Sequence, residues 1–248
     1  MERVFDAIGK PVNIKWLSFG DTHTVPAAFD VSVRGPRAAF ASLLRIRQAI
    51  QQNVRREDFL LFEWLTAREH FIAWPNKRAE VGRTKEPNIY WSYAKFFGQP
   101  LACPLPSVEP RSIVLFPDSR KPDKILTPEV ITEIGRECAK RSLPLRCILI
   151  GKPSPHGVLP GVQGVPDLRV EWIDGFDSLV SAVKTADIVV SADSLPAHIA
   201  EYFGVPVFVF TPVQNDYWMP ASSFQHGGFA LFNDLPAFGN WLDRVIAR

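Results

Sequence analysis

Residues 188–220, IVVSADSLPAHIAEYFGVPVFVFTPVQNDYWMP, constrain the fold more than any other stretch of the chain. An apolar run over 188–191 leads directly into Asp193, Ser194, Leu195, Pro196, Ala197 and His198. A short helix is expected over 196–203 and a second apolar strand over 205–210. Strands that are apolar on both faces and joined by a helix belong in a parallel sheet covered by helices on each side. In such sheets ligands bind beyond the carboxyl ends of the strands. A helix that begins there offers unpaired N–H groups and the positive end of its dipole, which suits a phosphate.

The rest of the second half repeats this alternation. Strands are expected over 112–116, 145–150 and 168–172, and helices over 127–141, 176–185 and 236–247. Thr127 is placed to cap the first of these helices and Pro128 suits its first turn. Upstream, residues 99–110 hold four prolines in twelve residues (QPLACPLPSVEP). Such a segment sustains neither a helix nor a central strand, so it reads as an extended linker. It divides the chain into a shortened N-terminal α/β domain, 1–105, and a C-terminal Rossmann-type domain, 106–248. In the first domain strands are expected at 12–17 and 29–33, and helices at 36–52 and 88–97. Residues 59–71 fit either type of element.

Composition narrows the function classes. The net charge is only +2 over 248 residues, with Lys and Arg dispersed, which argues against a dedicated nucleic-acid surface. Three cysteines without a CxxC pair read as reduced thiols, not as a disulfide frame or zinc site. No apolar run approaches the ~18 residues of a membrane span, and the opening MERVFDAIGK does not read as a signal peptide. A soluble cytoplasmic protein is expected. The 7 Trp and 18 Phe leave room for peripheral contact with the inner face of a membrane.

Two turns carry the chemistry. At the first, Asp193 and Ser194 stand where strand meets helix, with His198 in the helix's opening turn. Either could cap the helix, and the set supplies hydroxyl acceptors and phosphate donors for a sugar nucleotide. A capping residue plus one partly buried histidine is the other reading. At the second turn, 116–124 (FPDSRKPDK), Ser119 could bond a phosphate oxygen, and Arg120, Lys121 or Lys124 could neutralise it. A solvated basic loop is the alternative there.

Together the two turns resemble the ADP-heptose:lipopolysaccharide heptosyltransferases, glycosyltransferase family 9, of GT-B fold. That family carries Val-Ser-x-Asp-Thr-Gly-x-x-His-x-Ala, then Gly-x-Pro, then Trp-x-Pro. This chain has Val190-Ser-Ala-Asp-Ser-Leu-Pro-Ala-His-Ile-Ala200, Gly204-Val-Pro206 and Trp218-Met-Pro220. Pro117-Asp-Ser-Arg120 with Lys124 resembles the family's Pro-x-Ser/Thr-Arg turn and following Lys. The resemblance implies that Asp193 meets the donor's sugar hydroxyls. Ser194 and neighbouring N–H groups would face the diphosphate, with His198 near it. Ser119, Arg120 and Lys124 would hold the phosphates from the other turn, and the segment 173–176, including Asp174, would lie beside the adenine. No metal and no cofactor are implied, and no DxD motif is seen. One position departs: the family's Gly is Leu195 here, where a glycine would let backbone approach a phosphate closely.

Inverting transfer needs a base for the acceptor hydroxyl. In the family it is an Asp in a loop after the first strand, within Ser-x-x-Gly-Asp before a Pro; Asp21 stands in a similar setting, after the expected strand and five residues before Pro26, so it is the candidate. A competing alignment matches Phe29-Asp-Val-Ser-Val-Arg-Gly35 to a later part of the family's N-terminal domain. On that alignment Asp21 is an ordinary turn residue, the domain's beginning is missing and the chain is N-terminally truncated, as its length also suggests. The expected activity is transfer of a heptose or related sugar from ADP-heptose or another nucleotide sugar to a lipopolysaccharide-type glycolipid or glycan. The alternative is a catalytically inert sugar-nucleotide-binding module. Residues 68–78, with Arg and Lys beside Trp74, are a candidate acceptor groove or a solvated loop.

Overall fold

The computed structural model describes residues 31–53, 60–62, 67–73, 79–81, 86–96, 98, 103, 109–119, 121–151, 165 and 168–246. Asp21, Arg120 and the strand expected at 12–17 lie outside these residues. The chain divides into two compact units. Among the described residues, one contains 87–91, 103 and those from 109 to 246, and the other contains those from 31 to 86 with 92–96 and 98.

In the smaller unit, α1 (Val31–Asn53) is followed by β1 (Leu60–Phe62), α2 (Ala67–Ala73) and β2 (Ala79–Val81). β1 and β2 pair in parallel, with Leu60 opposite Ala79. The stretch 59–71 is therefore strand and then helix. The strand expected at 29–33 is overturned from Val31 onward, where the chain is already α1. Extending a helix backward by a few residues costs less than nucleating a separate element, and the strong pattern after Pro36 supplies the helix to extend. Ile46, Ile50, Ile72 and Ala73 are buried. The ring of Phe71 lies 5.9 Å from that of Phe40 and 5.0 Å from the Arg47 guanidinium carbon, which accounts for an arginine on α1's partly buried side.

The larger unit is built on six parallel strands: β3 (Ile113–Phe116), β4 (Leu145–Ile150), β5 (Arg169–Ile173), β6 (Ile188–Ala192), β7 (Val207–Thr211) and β8 (Phe229–Leu231). They lie in the order β5-β4-β3-β6-β7-β8. The chain starts in the middle of the sheet, runs outward along one side, returns to the middle and fills the other. This is the doubly wound order, with its topological switch point between β3 and β6.

Strand residues alternate between two cores. Ile113, Leu115, Cys147, Val190 and Phe208 face α4 (Pro128–Lys140) and α8 (Pro236–Ile246). Val114, Phe116, Ile148, Val189 and Val209 face α5 (Phe176–Lys184) and α6 (Leu195–Phe203). Both faces are buried, which is why the strands read as continuous apolar runs. Phe208, Phe238 and Trp241 pack with ring centroids 5.3 to 5.4 Å apart around Phe208. α7 (Ala221–His226) and β8 complete the unit; neither was expected from the sequence.

α3 (Ile89–Phe96), upstream of the expected linker, lies within the expected 88–97, and its first three residues belong with the larger unit. Asn88 anchors them. Its fully buried amide donates to the carbonyls of Asp216 and Met219, each at 2.9 Å, and its oxygen accepts from Tyr90 N at 3.0 Å.

Candidate functional site: a cleft at the switch point

The site is assembled from the loops after β3 and β6. After Phe116 the chain leaves the sheet at Pro117 and passes Asp118 and Ser119. It then tightens into a 3-10 turn, Pro122–Lys124, in which Lys124 N donates to Lys121 O at 3.0 Å. Leu126 N then returns to Pro117 O at 3.0 Å, closing the loop into a compact lobe. Thr127 accepts from Val130 N at 3.4 Å and starts α4, as its position before Pro128 suggested.

After β6, Asp193 N donates to Phe210 O at 3.1 Å, so the backbone is still held by the sheet when the side chain turns into the loop. Ser194 is extended, and α6 begins at Leu195. The capping expected of Asp193 or Ser194 does not occur: neither side chain bonds α6's first amides. Both are engaged elsewhere. Ser194 Oγ donates to the carbonyls of Asp118 at 3.2 Å and Ala192 at 3.3 Å. Asp193 Oδ2 accepts from Lys124 Nζ at 2.5 Å. Two contacts thus tie residues near 120 to residues near 194 across the switch point.

Between these loops lies a cleft of about 780 Å³. Its polar wall is Asp118, Ser119, Lys121, Lys124, Asp193 and Ser194. Its apolar wall is Ile150, Trp172, Leu179, Leu195 and Pro196. Asp193 is 7% exposed and Lys124 21%, so the ion pair sits at the bottom of the cleft rather than on its rim. Ser119 is half-buried and its Oγ accepts from Lys121 N at 3.3 Å. Asp118 Oδ2 accepts from Ile150 N at 3.3 Å. Burial raises the Asp118 carboxyl above its ordinary value, and the bond from Ile150 opposes that rise. Leu195 is 51% exposed, its neighbour Pro196 lacks an N–H, and Ala197 N is already bound to Ser194 O at 3.1 Å. The opening of α6 therefore presents fewer free N–H groups than a glycine-rich start would.

The sequence-derived candidates separate into two groups. Ser119, Lys124, Asp193, Ser194 and Leu195 converge on the cleft. His198 does not line it. A rise of about 1.5 Å per residue sets it a turn back from the helix mouth, where its Nδ1 lies 3.1 Å from the Tyr90 hydroxyl. Burial lowers the pKa of this imidazole, with the nearby Asp193 charge opposing the shift. Asp174 is exposed just past β5 and is not among the lining residues; the wall there is Trp172 and Leu179 instead of 173–176. Those two, with Ile150 and Asp118, were missed by sequence reasoning. A weak signal existed for three of them, since Ile150 and Trp172 lie at the carboxyl ends of strands and Asp118 in the turn beyond one, whereas Leu179 lies inside α5.

Among the described residues no three His, Cys, Asp or Glu side chains gather where they could hold a metal ion. No described helix is long and apolar enough to cross a membrane.

No protein-family profile and no curated protein sequence matches the chain. Solved structures do. A glycosyl transferase family 9 protein from Veillonella parvula DSM 2008 superposes with a TM-score of 0.54 at 13% identity, over 79% of this chain and 68% of that one. The E. coli heptosyltransferase WaaC, solved with ADP, gives 0.53 at 14% identity, over 87% of this chain and 79% of its own. The same enzyme with ADP-2-deoxy-2-fluoro heptose gives 0.50 at 13% identity, over 90% and 79%. The fold is that of the GT-B glycosyltransferases of family 9, matching the α/β, GT-B-like class expected from the two turns.

Proposed function

We propose that this chain, having the fold of family 9 glycosyltransferases, binds a nucleotide-sugar donor in the β3/β6 cleft and transfers its sugar. ADP-heptose is the donor class we assign, with a lipopolysaccharide-type glycolipid or a cell-surface glycan as acceptor. The observation that carries the reading is the convergence of Ser119, Lys124, Asp193 and Ser194 on one cleft at the switch point. That is where a doubly wound sheet binds nucleotides.

In this reading Lys124 is the electrostatic residue. Its ammonium neutralises diphosphate charge, which grows as the bond between the anomeric carbon and the phosphate oxygen breaks. Ser119 and the Leu195 N–H add hydrogen bonds to the phosphates, and Arg120 is assigned a second cationic contact. Trp172, Ile150 and Leu179 offer the flat apolar wall a nucleobase needs. Asp193 accepts from sugar hydroxyls. Asp21 is the base assigned to take the acceptor's proton as its oxygen attacks the anomeric carbon from the opposite face. That attack inverts the centre, and the proposed step needs no metal. We assign donor binding to 106–248 and acceptor binding to 1–105, in the cytoplasm or at the inner face of the membrane.

A second reading is favoured by one observation. The α6 mouth carries a bulky Leu195 followed by Pro196, a poor cradle for a diphosphate. A binding module without turnover fits that feature as well. The two are separated by mixing the purified chain with ADP-heptose and heptose-deficient lipopolysaccharide and following ADP release. Release that is abolished by Asp21→Ala supports the transferase. Donor binding in calorimetry without release supports the module, and no binding defeats both.

A further inference from the structure

The resting cleft already contains its own counter-ion. Lys124 Nζ donates to Asp193 Oδ2 at 2.5 Å, and the carboxylate is 7% exposed. Among the described residues, Lys124 is the partner of the Asp193 side chain. The other lysine of the cleft, Lys121, is exposed, and the α6 mouth has Pro196 at its second residue. Lys124 is thus the more deeply set of the two lining lysines, and an entering phosphate draws on it.

We propose that the Lys124–Asp193 pair makes the cleft selective for a nucleotide that carries a sugar over the same nucleotide without one. This inference rests on the donor-site reading above. If Lys124 swings to a phosphate, Asp193 is left as a nearly buried carboxylate with no donor, a costly state. If Lys124 stays and bridges both, the phosphate lies within a few ångströms of a second negative charge, which is costly in another way. A ligand with hydroxyls beside its phosphate removes either cost, because those hydroxyls donate to Asp193 as the ammonium turns away. A bare nucleoside diphosphate, whose hydroxyls are all on the ribose and none beyond the terminal phosphate, offers no such replacement. Selectivity arises from the unpaired acceptor left by the wrong ligand, not from extra contacts made by the right one. The same exchange favours product release: once the sugar has gone, Lys124 returns to Asp193 and weakens the grip on the diphosphate.

The test is calorimetry on the full chain, wild type and Asp193→Asn, with ADP and with ADP-heptose at one salt concentration. The wild type binds ADP-heptose at least about tenfold more tightly than ADP, the range expected for hydrogen bonds to a charged group. Asp193→Asn removes the charge and frees Lys124, so ADP binds about tenfold more tightly and the preference narrows toward one. The inference is overturned if the wild type binds the two ligands equally, a readout that stands whether or not the variant folds. It is also overturned if Asp193→Asn leaves ADP affinity and the preference unchanged. Absence of binding for both ligands to both proteins overturns the donor site itself and this inference with it.

Discussion

Replacing Lys124 by methionine tests whether the ion pair organises the cleft. Two unit charges 2.5 Å apart attract by roughly 6–7 kcal/mol at an effective dielectric of about 20, and desolvation of both groups cancels most of that. The measurable quantity is the cost of leaving Asp193 alone. For a fully buried pair that cost is about 3–5 kcal/mol. Lys124 keeps a fifth of its exposure and the cleft admits water, so screening reduces the figure to about 2 kcal/mol. For a chain of this size that corresponds to a fall of roughly 4–8 °C in Tm. Differential scanning calorimetry at neutral pH reads it directly. The double variant Lys124→Met/Asp193→Leu should regain at least half of the loss, because an apolar pair of similar volume satisfies itself where a lone carboxylate cannot. A single variant that melts within 1 °C of wild type (roughly the noise floor against shifts of this kind), or a double variant whose loss is the sum of the two singles, would refute the reasoning.

Other outcomes follow from the same structure. Asn88→Ala removes two buried amide donations at 2.9 Å and strands the Asp216 and Met219 carbonyls, so denaturant unfolding should show a loss of about 2–3 kcal/mol. Leu195→Gly lowers stability by about 0.5–1 kcal/mol through helix propensity yet binds ADP several-fold more tightly, because backbone can then approach a phosphate; calorimetry would show weaker binding if the idea is wrong. Burial pushes the Cys103, Cys138 and Cys147 thiols up to about 12 from an ordinary value of 9.0. The folded chain keeps these protons where the unfolded chain releases them. Their contribution is therefore complete below pH ~9 and is lost as pH rises toward ~12. Urea unfolding should show lower stability near pH ~10.5 than near pH ~8, and Cys147→Ala should reduce that difference.

Much of the larger unit was legible because its physics is local. β3, β4, β6 and β7 are covered on both faces, so each reads as a largely apolar run, interrupted by Arg146 in β4 and Ser191 in β6. Thr127-Pro128 marks a helix start, and Gly204, at φ 67° in the left-handed region, ends α6 where the sequence places Gly-Val-Pro. What escaped depends on distant partners. β8 is three residues long and exists because Phe229, Ala230 and Leu231 pair with β7; three residues carry no period. Ser194 has the chemistry of a cap, but its hydroxyl is taken by Asp118, 76 residues away. His198 has the chemistry of a phosphate contact, but Tyr90, 108 residues away, meets its ring instead. Trp172 lines the cleft because β5 lies beside β4, a neighbour relation set by the whole sheet order. Asp193 and Lys124 were each singled out, and their direct pairing was not, because opposite charges on separate loops give no signal until topology brings the loops together.

The central claim is that the loops near 120 and 194 form one phosphate-binding site, and a crystal structure of the chain with ADP tests it most directly. The account predicts diphosphate density between them, with an oxygen at ~3 Å from Lys124 Nζ and the adenine against Trp172. Well-ordered ADP bound elsewhere, with Lys124 still paired to Asp193 over a vacant cleft, would contradict it.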